Sequence, residues 1–166
     1  MGPLIAAMML ITLTFSPGPL DAATSPRSPS PPTARHGITQ IVVEHDCFGC
    51  ATGWTLVLRS DGTATHTVTG NARHGTVDQA STASIGAREF ERLAALLVSR
   101  GFFAMKDEYA NAQTADGSWT SIAAVRGGRE KKVFDRGQAG PVPLRAIETE
   151  IEAVRSRLAV PPSPAP

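Results

Sequence analysis

The chain has 166 residues, with 16 Lys and Arg against 15 Asp and Glu, so its formal net charge is +1. This length suits one domain better than two. The balanced charge excludes the strongly basic surfaces that attract nucleic acid or anionic lipid, and an aromatic content of 5% argues against a base-stacking surface. We therefore expect a single domain with no nucleic-acid partner.

The first 23 residues have the pattern of an export signal. Residues 4–15 form an apolar run, and Ala22 and Ala23 follow as small residues of the kind found at cleavage sites. The run is shorter than the roughly 20 residues that span a bilayer, and an uncleaved N-terminal anchor is the alternative. We expect a periplasmic or secreted protein whose mature form has no membrane span.

Proline positions predict the limits of the folded part. Ten of the 13 prolines lie within residues 17–32 or 161–166. Proline removes a backbone donor and restricts φ, so these clusters mark the edges of regular structure. After a signal peptide over residues 1–23, we expect a Pro/Ser-rich linker over 24–37, one domain over 38–158 and a disordered Pro-rich tail over 159–166.

The first half of the predicted domain reads as strands. A β-branched run at residues 37–45 predicts the first of them. Two further runs, at 54–60 and 63–70, are separated by an Asp-Gly pair, which favours a two-residue type I′ turn and hence a tight hairpin. With that turn, Leu58 faces Thr65 across the hairpin.

A helix, a second hairpin and a closing helix follow. The first helix begins after Gly86 as its N-cap and ends before Gly101. Gly127 and Gly128 form the turn of the second hairpin, which pairs Ile122 with Val133. Pro143 lies in the first turn of an amphipathic final helix. The order β-β-β-α-β-β-α predicts an α+β fold in which two helices pack on one face of an antiparallel sheet of about five strands.

The stretch HDCFGCATGW holds both cysteines of the chain, Cys47 and Cys50. In an oxidising compartment the simplest interpretation is a disulfide. A c-type haem would need His where Ala51 stands, and a reactive dithiol would need its first cysteine at a helix N-terminus rather than before a strand. The alternative is a metal site formed by His45, Cys47, Cys50 and His66, although one such cysteine pair supplies only two of four ligands.

The chain resembles a bacterial family of unknown function, domain-of-unknown-function family 6438, over residues 38–158. Three stretches carry the resemblance: CFG at 47–49 leading to DGT at 61–63, GFFAMKDEY at 101–109, and VFDRGQAGPVPLRAIETEIEAV at 133–154. It implies a small domain, often exported or lipid-anchored, with no established activity. Relatives usually carry a second Cys and then Pro where Ala51 stands, three residues before a Tyr that Trp54 replaces. This departure argues against strict metal-ligand geometry.

Patterns of known chemistry are missing from the sequence. It contains no nucleophile elbow, P-loop, dinucleotide fingerprint or HExxH motif. We therefore expect a monomeric, non-catalytic binding or interaction module of the bacterial envelope, with no cofactor and with a protein or an envelope component as its partner. The alternative function is a thiol redox or metal-binding protein centred on Cys47 and Cys50.

Overall fold

The computed structural model describes residues 35–111, 113 and 117–158, so the predicted signal, most of the predicted linker and the predicted tail lie outside the described residues. The described residues form seven strands and two α-helices: β1 Ile38–Cys47, β2 Thr52–Arg59, β3 Thr63–Gly70, β4 Gln79–Ser84, α1 Ala87–Ser99, β5 Glu108–Ala110, β6 Ser118–Arg126, β7 Arg129–Arg136 and α2 Val142–Leu158. Neither helix of this part of the chain combines the length and apolar character needed to cross a bilayer.

All seven strands join one mixed sheet in the order β4-β3-β2-β1-β6-β7-β5. Neighbouring strands are antiparallel except β5, which runs parallel to β7. The predicted α+β class is confirmed, whereas the expectation of about five antiparallel strands is wrong. The two additional strands, β4 and β5, lie at the sheet edges, where mostly exposed side chains give no apolar alternation to detect.

The second hairpin agrees with the sequence prediction. Gly127 and Gly128 connect β6 to β7 with φ values of 57° and 77°, as a type I′ turn requires. Ile122 pairs with Val133 across the hairpin.

The first hairpin has a different register from the predicted one. Leu58 pairs with Ala64 rather than Thr65, because the loop holds three residues instead of two. Gly62 takes a positive φ of 86°, and the Asp61 carboxylate accepts hydrogen bonds from the Thr63 amide and hydroxyl at 2.8 and 2.7 Å. This side-chain acceptor favours the longer loop, in which a single glycine supplies the left-handed residue.

Both helices pack on the same face of the sheet. Side chains along a strand alternate between faces, and most of the buried apolar residues of the strands lie on one face, among them Ile41, Val43, Leu56, Leu58, Ala64, Ile122, Ala124 and Val133. The helices contribute the other half of this core through Phe90, Leu93, Ala94, Leu97, Leu144, Ile147, Ile151 and Val154. Burying apolar side chains stabilises the fold by about 1.5–3 kcal/mol for each large residue. The opposite sheet face has no helix over it among the described residues.

The start of α1 packs closely on the first hairpin loop. Gly86 is the N-cap of α1, as predicted, and the amide of the preceding Ile85 donates to the Gly62 carbonyl at 2.9 Å. A Cβ atom on Gly62 would lie 2.5 Å from the Ala87 nitrogen and from the Gly86 carbonyl carbon. The loop therefore needs glycine both for its φ and for space.

Gly62→Ala should lower the free energy of unfolding by about 3 kcal/mol, because a left-handed backbone costs about 1–2 kcal/mol and overlap with the α1 backbone adds a similar amount. Gly75→Ala is a matched control, since Gly75 has a φ of 70° but open space around its Cβ position. It should lose only the cost of the left-handed backbone, about 1–2 kcal/mol. Urea unfolding of both variants measures the difference, and equal losses would contradict the close packing of loop and helix.

Candidate functional site

The helix-covered face of β1 changes from apolar to polar at His45. Ile41, Val43 and His45 lie on the same face because they alternate along the strand. His45 pairs with Trp54 of β2 on one side and with Thr120 of β6 on the other. The sheet register therefore places an imidazole, an indole and a hydroxyl side by side where the apolar core ends.

These side chains form a contact row across the sheet. The His45 Nδ1 atom and the Thr120 hydroxyl lie 3.0 Å apart and share a hydrogen bond. The His45 and Trp54 rings are stacked, with centroids 5.5 Å apart and planes inclined by 23°. His66 of β3 extends the row, with its ring centroid 6.4 Å from that of Trp54.

Helix α2 lies over this row and adds charged side chains to it. The Arg155 guanidinium lies 5.0 Å from the Trp54 ring centroid, within the range of a cation–π contact. Glu152, three residues earlier, accepts two hydrogen bonds from Arg155 at 2.7 and 2.6 Å. Glu148 is one turn before Glu152, so both carboxylates lie on the same side of the helix.

Two adjoining cavities, of about 500 and about 210 Å³, separate α2 from the sheet. They share four lining residues: His45, Thr120, Glu148 and Thr149. We call the combined space the α2 cleft. Val43, Trp54 and Ile151 line its apolar part, and Asp135 and Arg145 line its polar end. Apolar walls with a few polar groups are typical of small-molecule sites.

Glu148 is the electrostatic anomaly of the α2 cleft. Partial burial, and secondly the negative charge of Asp135, raise the pKa of Glu148 to about 7, against a smaller opposing effect of Arg145. Asp135 is only 3% exposed, and its carboxylate accepts a hydrogen bond from the Gly140 amide at 3.0 Å. The Glu148 carboxyl has no hydrogen-bond or ion-pair partner among the residues that the structure describes. Its charge is therefore offset only in part, by that of Arg145.

Two other groups near the α2 cleft, His66 and Glu152, have lowered pKa values. Burial, with the nearby Arg155 charge, lowers the pKa of His66, which is 6% exposed and so is held neutral. The His66 Nε2 atom has no hydrogen-bond partner among the described residues. The hydrogen bonds from Arg155 lower the pKa of Glu152, which stays ionised.

The two cysteines lie outside the α2 cleft, in the turn between β1 and β2. Their sulfur atoms are within disulfide-bonding distance, and their Cα atoms are 5.4 Å apart. The Cys50 amide donates to the Cys47 carbonyl at 3.4 Å, which closes the turn. This part of the sequence-predicted site is thus a compact turn at the exposed end of the sheet.

The structure does not bring together the four residues of the alternative metal site. Cys47 and Cys50 face each other, whereas His45 bonds to Thr120 and His66 is buried beside Trp54. Within residues 35–111, 113 and 117–158, no three His, Cys, Asp or Glu side chains are grouped as metal ligands would be.

Sequence reasoning identified His45 and His66 but missed Asp135, Glu148 and their neighbours on α2. The signal was present in the helix pattern, because Glu148 lies directly beside the apolar stripe position Ile147. A carboxyl at the margin of a buried stripe is a candidate for a perturbed pKa. Glu148 and His45 line the same cleft only because of the sheet register, which the sequence patterns do not predict.

Comparison with known proteins identifies one family. The sequence model described as Domain of unknown function (DUF6438) matches residues 41–155. No curated protein matches the chain.

Glu148→Gln should change how stability depends on pH. The raised pKa means that the folded protein binds a proton that the unfolded chain has released between pH 4.5 and about 7, so this group lowers the free energy of unfolding as pH rises through that range. The variant should lose this dependence and exceed the wild-type stability above pH 7 by about 1–2 kcal/mol, a value reduced for partial exposure.

Urea unfolding at a series of pH values provides the measurement, and the difference between the two proteins isolates this carboxyl from the others. Glu150→Gln is the control on the same helix, since Glu150 pairs with Arg92 away from the α2 cleft. If the free energy of unfolding varied with pH in the same way for wild type and Glu148→Gln, the raised pKa of Glu148 would be contradicted.

Proposed function

Because the chain belongs to the family DUF6438, whose description gives no function, we propose one from the geometry: this domain is a non-catalytic binding module, and the α2 cleft is its ligand site. The ligand class is a small molecule that carries a positively charged nitrogen and an apolar portion. The observation that carries the proposal is the unpartnered Glu148 carboxyl beside the buried Asp135.

A cationic ligand would compensate the charge that the fold leaves unpaired. Burial of Glu148, and secondly repulsion by the negative charge of Asp135, raise the pKa of Glu148 to about 7. An ammonium group beside Glu148 would favour the ionised form of this carboxyl. Glu152 is not available for this role, because its charge is already paired with Arg155.

The apolar part of the α2 cleft supports a ligand of mixed character. Val43, Trp54 and Ile151 line the end away from Asp135. An organic cation could therefore place its nitrogen at Glu148 and its hydrocarbon part against these side chains. His45 and Thr120 lie between the two ends and supply hydrogen-bonding groups for orientation.

The surroundings of Thr120 favour binding over catalysis. A His–Thr pair resembles the base and nucleophile of an acyl-transfer enzyme, and such chemistry also needs free backbone donors for the oxyanion. Thr120 lies inside the sheet, paired with His45 on β1 and with Asp135 on β7. The backbone donors around it are engaged in the ladders, so the site lacks this element.

We further propose that the protein is exported to the cell envelope or beyond, and that Cys47 and Cys50 form a structural disulfide there. The bonding distance of the sulfur atoms and the apolar N-terminal run support this proposal. The second candidate function, thiol redox, is favoured by the exposed position of the same turn. A redox-active pair and a structural disulfide differ in the reduction potential that each requires.

We expect the α2 cleft to bind 2-phenylethylamine. Trp119→Phe leaves Trp54 as the one tryptophan of the chain, so its fluorescence reports on this cleft. The amine should give a saturable change, and 2-phenylethanol, which has the same ring without the charge, should bind about tenfold more weakly. Affinity for the amine should rise between about pH 6 and about pH 8, because Glu148 ionises in this range.

Glu148→Gln should abolish both the preference for the amine and the pH dependence. Glu150→Gln removes a carboxylate from the same helix but not from the α2 cleft, and it should leave both unchanged. Equal affinity for the amine and the alcohol in the wild-type background, or no saturation by either, would rule out a cation site.

Export and disulfide formation can be tested on the chain expressed with its own N-terminus. We expect it outside the cytoplasm, shortened at the N-terminus, and gaining the mass of two hydrogen atoms on reduction. A reduction potential below about −300 mV would indicate a structural bond, and one between about −270 and −120 mV would support a redox function. A full-length cytoplasmic chain with two free thiols would contradict both export and disulfide formation.

A further inference from the structure

A second cavity, of about 420 Å³, lies beside the Cys47–Cys50 turn and has no lining residue in common with the α2 cleft. Three parts of the fold build it: the tip of this turn, the loop after β3 with Arg73 and His74, and the adjoining ends of β6 and β7 with Trp119 and Arg136. We call it the turn pocket. Because it is separate, its ligand can be tested independently of the function proposed above.

Both charged residues that line the turn pocket, Arg73 and Arg136, are basic. Arg73, His74 and Arg136 approach it from two different segments, and no Asp or Glu is among the described lining residues. Neither guanidinium has an ion-pair partner within the described part of the chain. Arg136 is held in place by its contact with Phe134, whose ring centroid lies 5.5 Å away. Two unpaired guanidinium groups favour a carboxylate or another planar anion.

Aromatic side chains line the same space. Trp119 packs on Phe134 with ring centroids 5.6 Å apart, so its orientation is fixed by a neighbour. Phe48 lies at the tip of the turn and is 76% exposed, an unusual position for a large apolar side chain. A flat apolar group in the turn pocket would cover part of this exposed surface.

The walls of the turn pocket are tied to each other. The Asn71 side-chain amide donates to the Cys50 carbonyl at 2.9 Å, and the Thr76 hydroxyl donates to the Ala51 carbonyl at 2.7 Å. These bonds link the loop after β3 to the cysteine turn. The backbone segments that carry Phe48 and Arg73 are therefore held against each other before any ligand arrives, which lowers the entropic cost of binding.

From this arrangement we propose that the turn pocket binds a small aromatic carboxylate, with the carboxylate at Arg73 and Arg136 and the ring against Trp119 and Phe48. Asp46, the nearest acidic residue along the chain, is not among the residues that line the turn pocket, and its carboxylate accepts a hydrogen bond from the Cys47 amide at 2.7 Å. The two guanidinium groups therefore make the lining of the pocket positively charged.

Phenylacetate tests the proposal, with phenylacetamide as the neutral molecule of nearly the same shape. Trp54→Phe leaves Trp119 as the one tryptophan, which reports on the turn pocket. Phenylacetate should saturate the fluorescence change and bind about tenfold more tightly than phenylacetamide. Equal affinities, or no saturation by phenylacetate, would overturn the proposal.

Charge-removing variants localise the binding. In the Trp54→Phe background, Arg136→Gln and Arg73→Gln should each weaken phenylacetate binding about tenfold. Arg129→Gln makes the same charge change at the far end of β7 and should have no effect, as should Glu148→Gln in the α2 cleft. An equal loss of phenylacetate affinity in Arg129→Gln would mean that only the overall charge of the protein matters. That result would overturn the placement of the carboxylate at Arg73 and Arg136.

Competition by inorganic phosphate separates the contribution of the aromatic ring to phenylacetate binding from that of the negative charge. If it displaces phenylacetate only at about tenfold higher concentration, the ring contacts with Trp119 and Phe48 contribute to binding, as expected. Displacement at equal concentration would identify a simple anion site and overturn the aromatic part of the proposal.

Discussion

The central position of β1 in the sheet is the constraint on which both candidate sites depend. This strand is paired on both sides, so a slip of one residue would turn all its side chains to the wrong face. Ile41 and Val43, buried under the helices, fix the register. His45 must then face α2, and Asp46 must face away. The α2 cleft is therefore the continuation of the hydrophobic core beyond the last apolar residue of β1.

Polar side chains on a core-facing surface lose their hydration. His45 and Asp135 each have a hydrogen-bond partner. The His66 Nε2 atom has none among the described residues, but its lowered pKa keeps the ring neutral and avoids a buried charge. Glu148 has neither form of compensation within the described residues, although an apolar residue at its position would extend the stripe of α2. Local choices that lower stability in this way are concentrated at functional sites. This exception is the physical reason for placing a ligand beside Glu148.

Turn chemistry decided how much of the fold could be predicted. Gly127 and Gly128 permit a two-residue turn, and the register of that hairpin followed correctly. The Asp-Gly pair of the first hairpin was misleading, because the Asp61 side chain accepts hydrogen bonds that favour a longer loop. The edge strands β4 and β5 were not predicted, because exposed polar residues show no periodic apolar pattern. His45 was found in an unusual motif, whereas Glu148 becomes a neighbour only through the tertiary fold.

The end of β1 connects two spaces of opposite charge preference. His45 lines the α2 cleft, where carboxyl groups favour a cation, and Cys47, two residues later, lines the turn pocket, where guanidinium groups favour an anion. The cysteine turn lines only the turn pocket, where the Asn71 amide links it to the loop after β3. Opening the turn would release the wall of the turn pocket first, since His45 is still held by the ladders to β2 and β6.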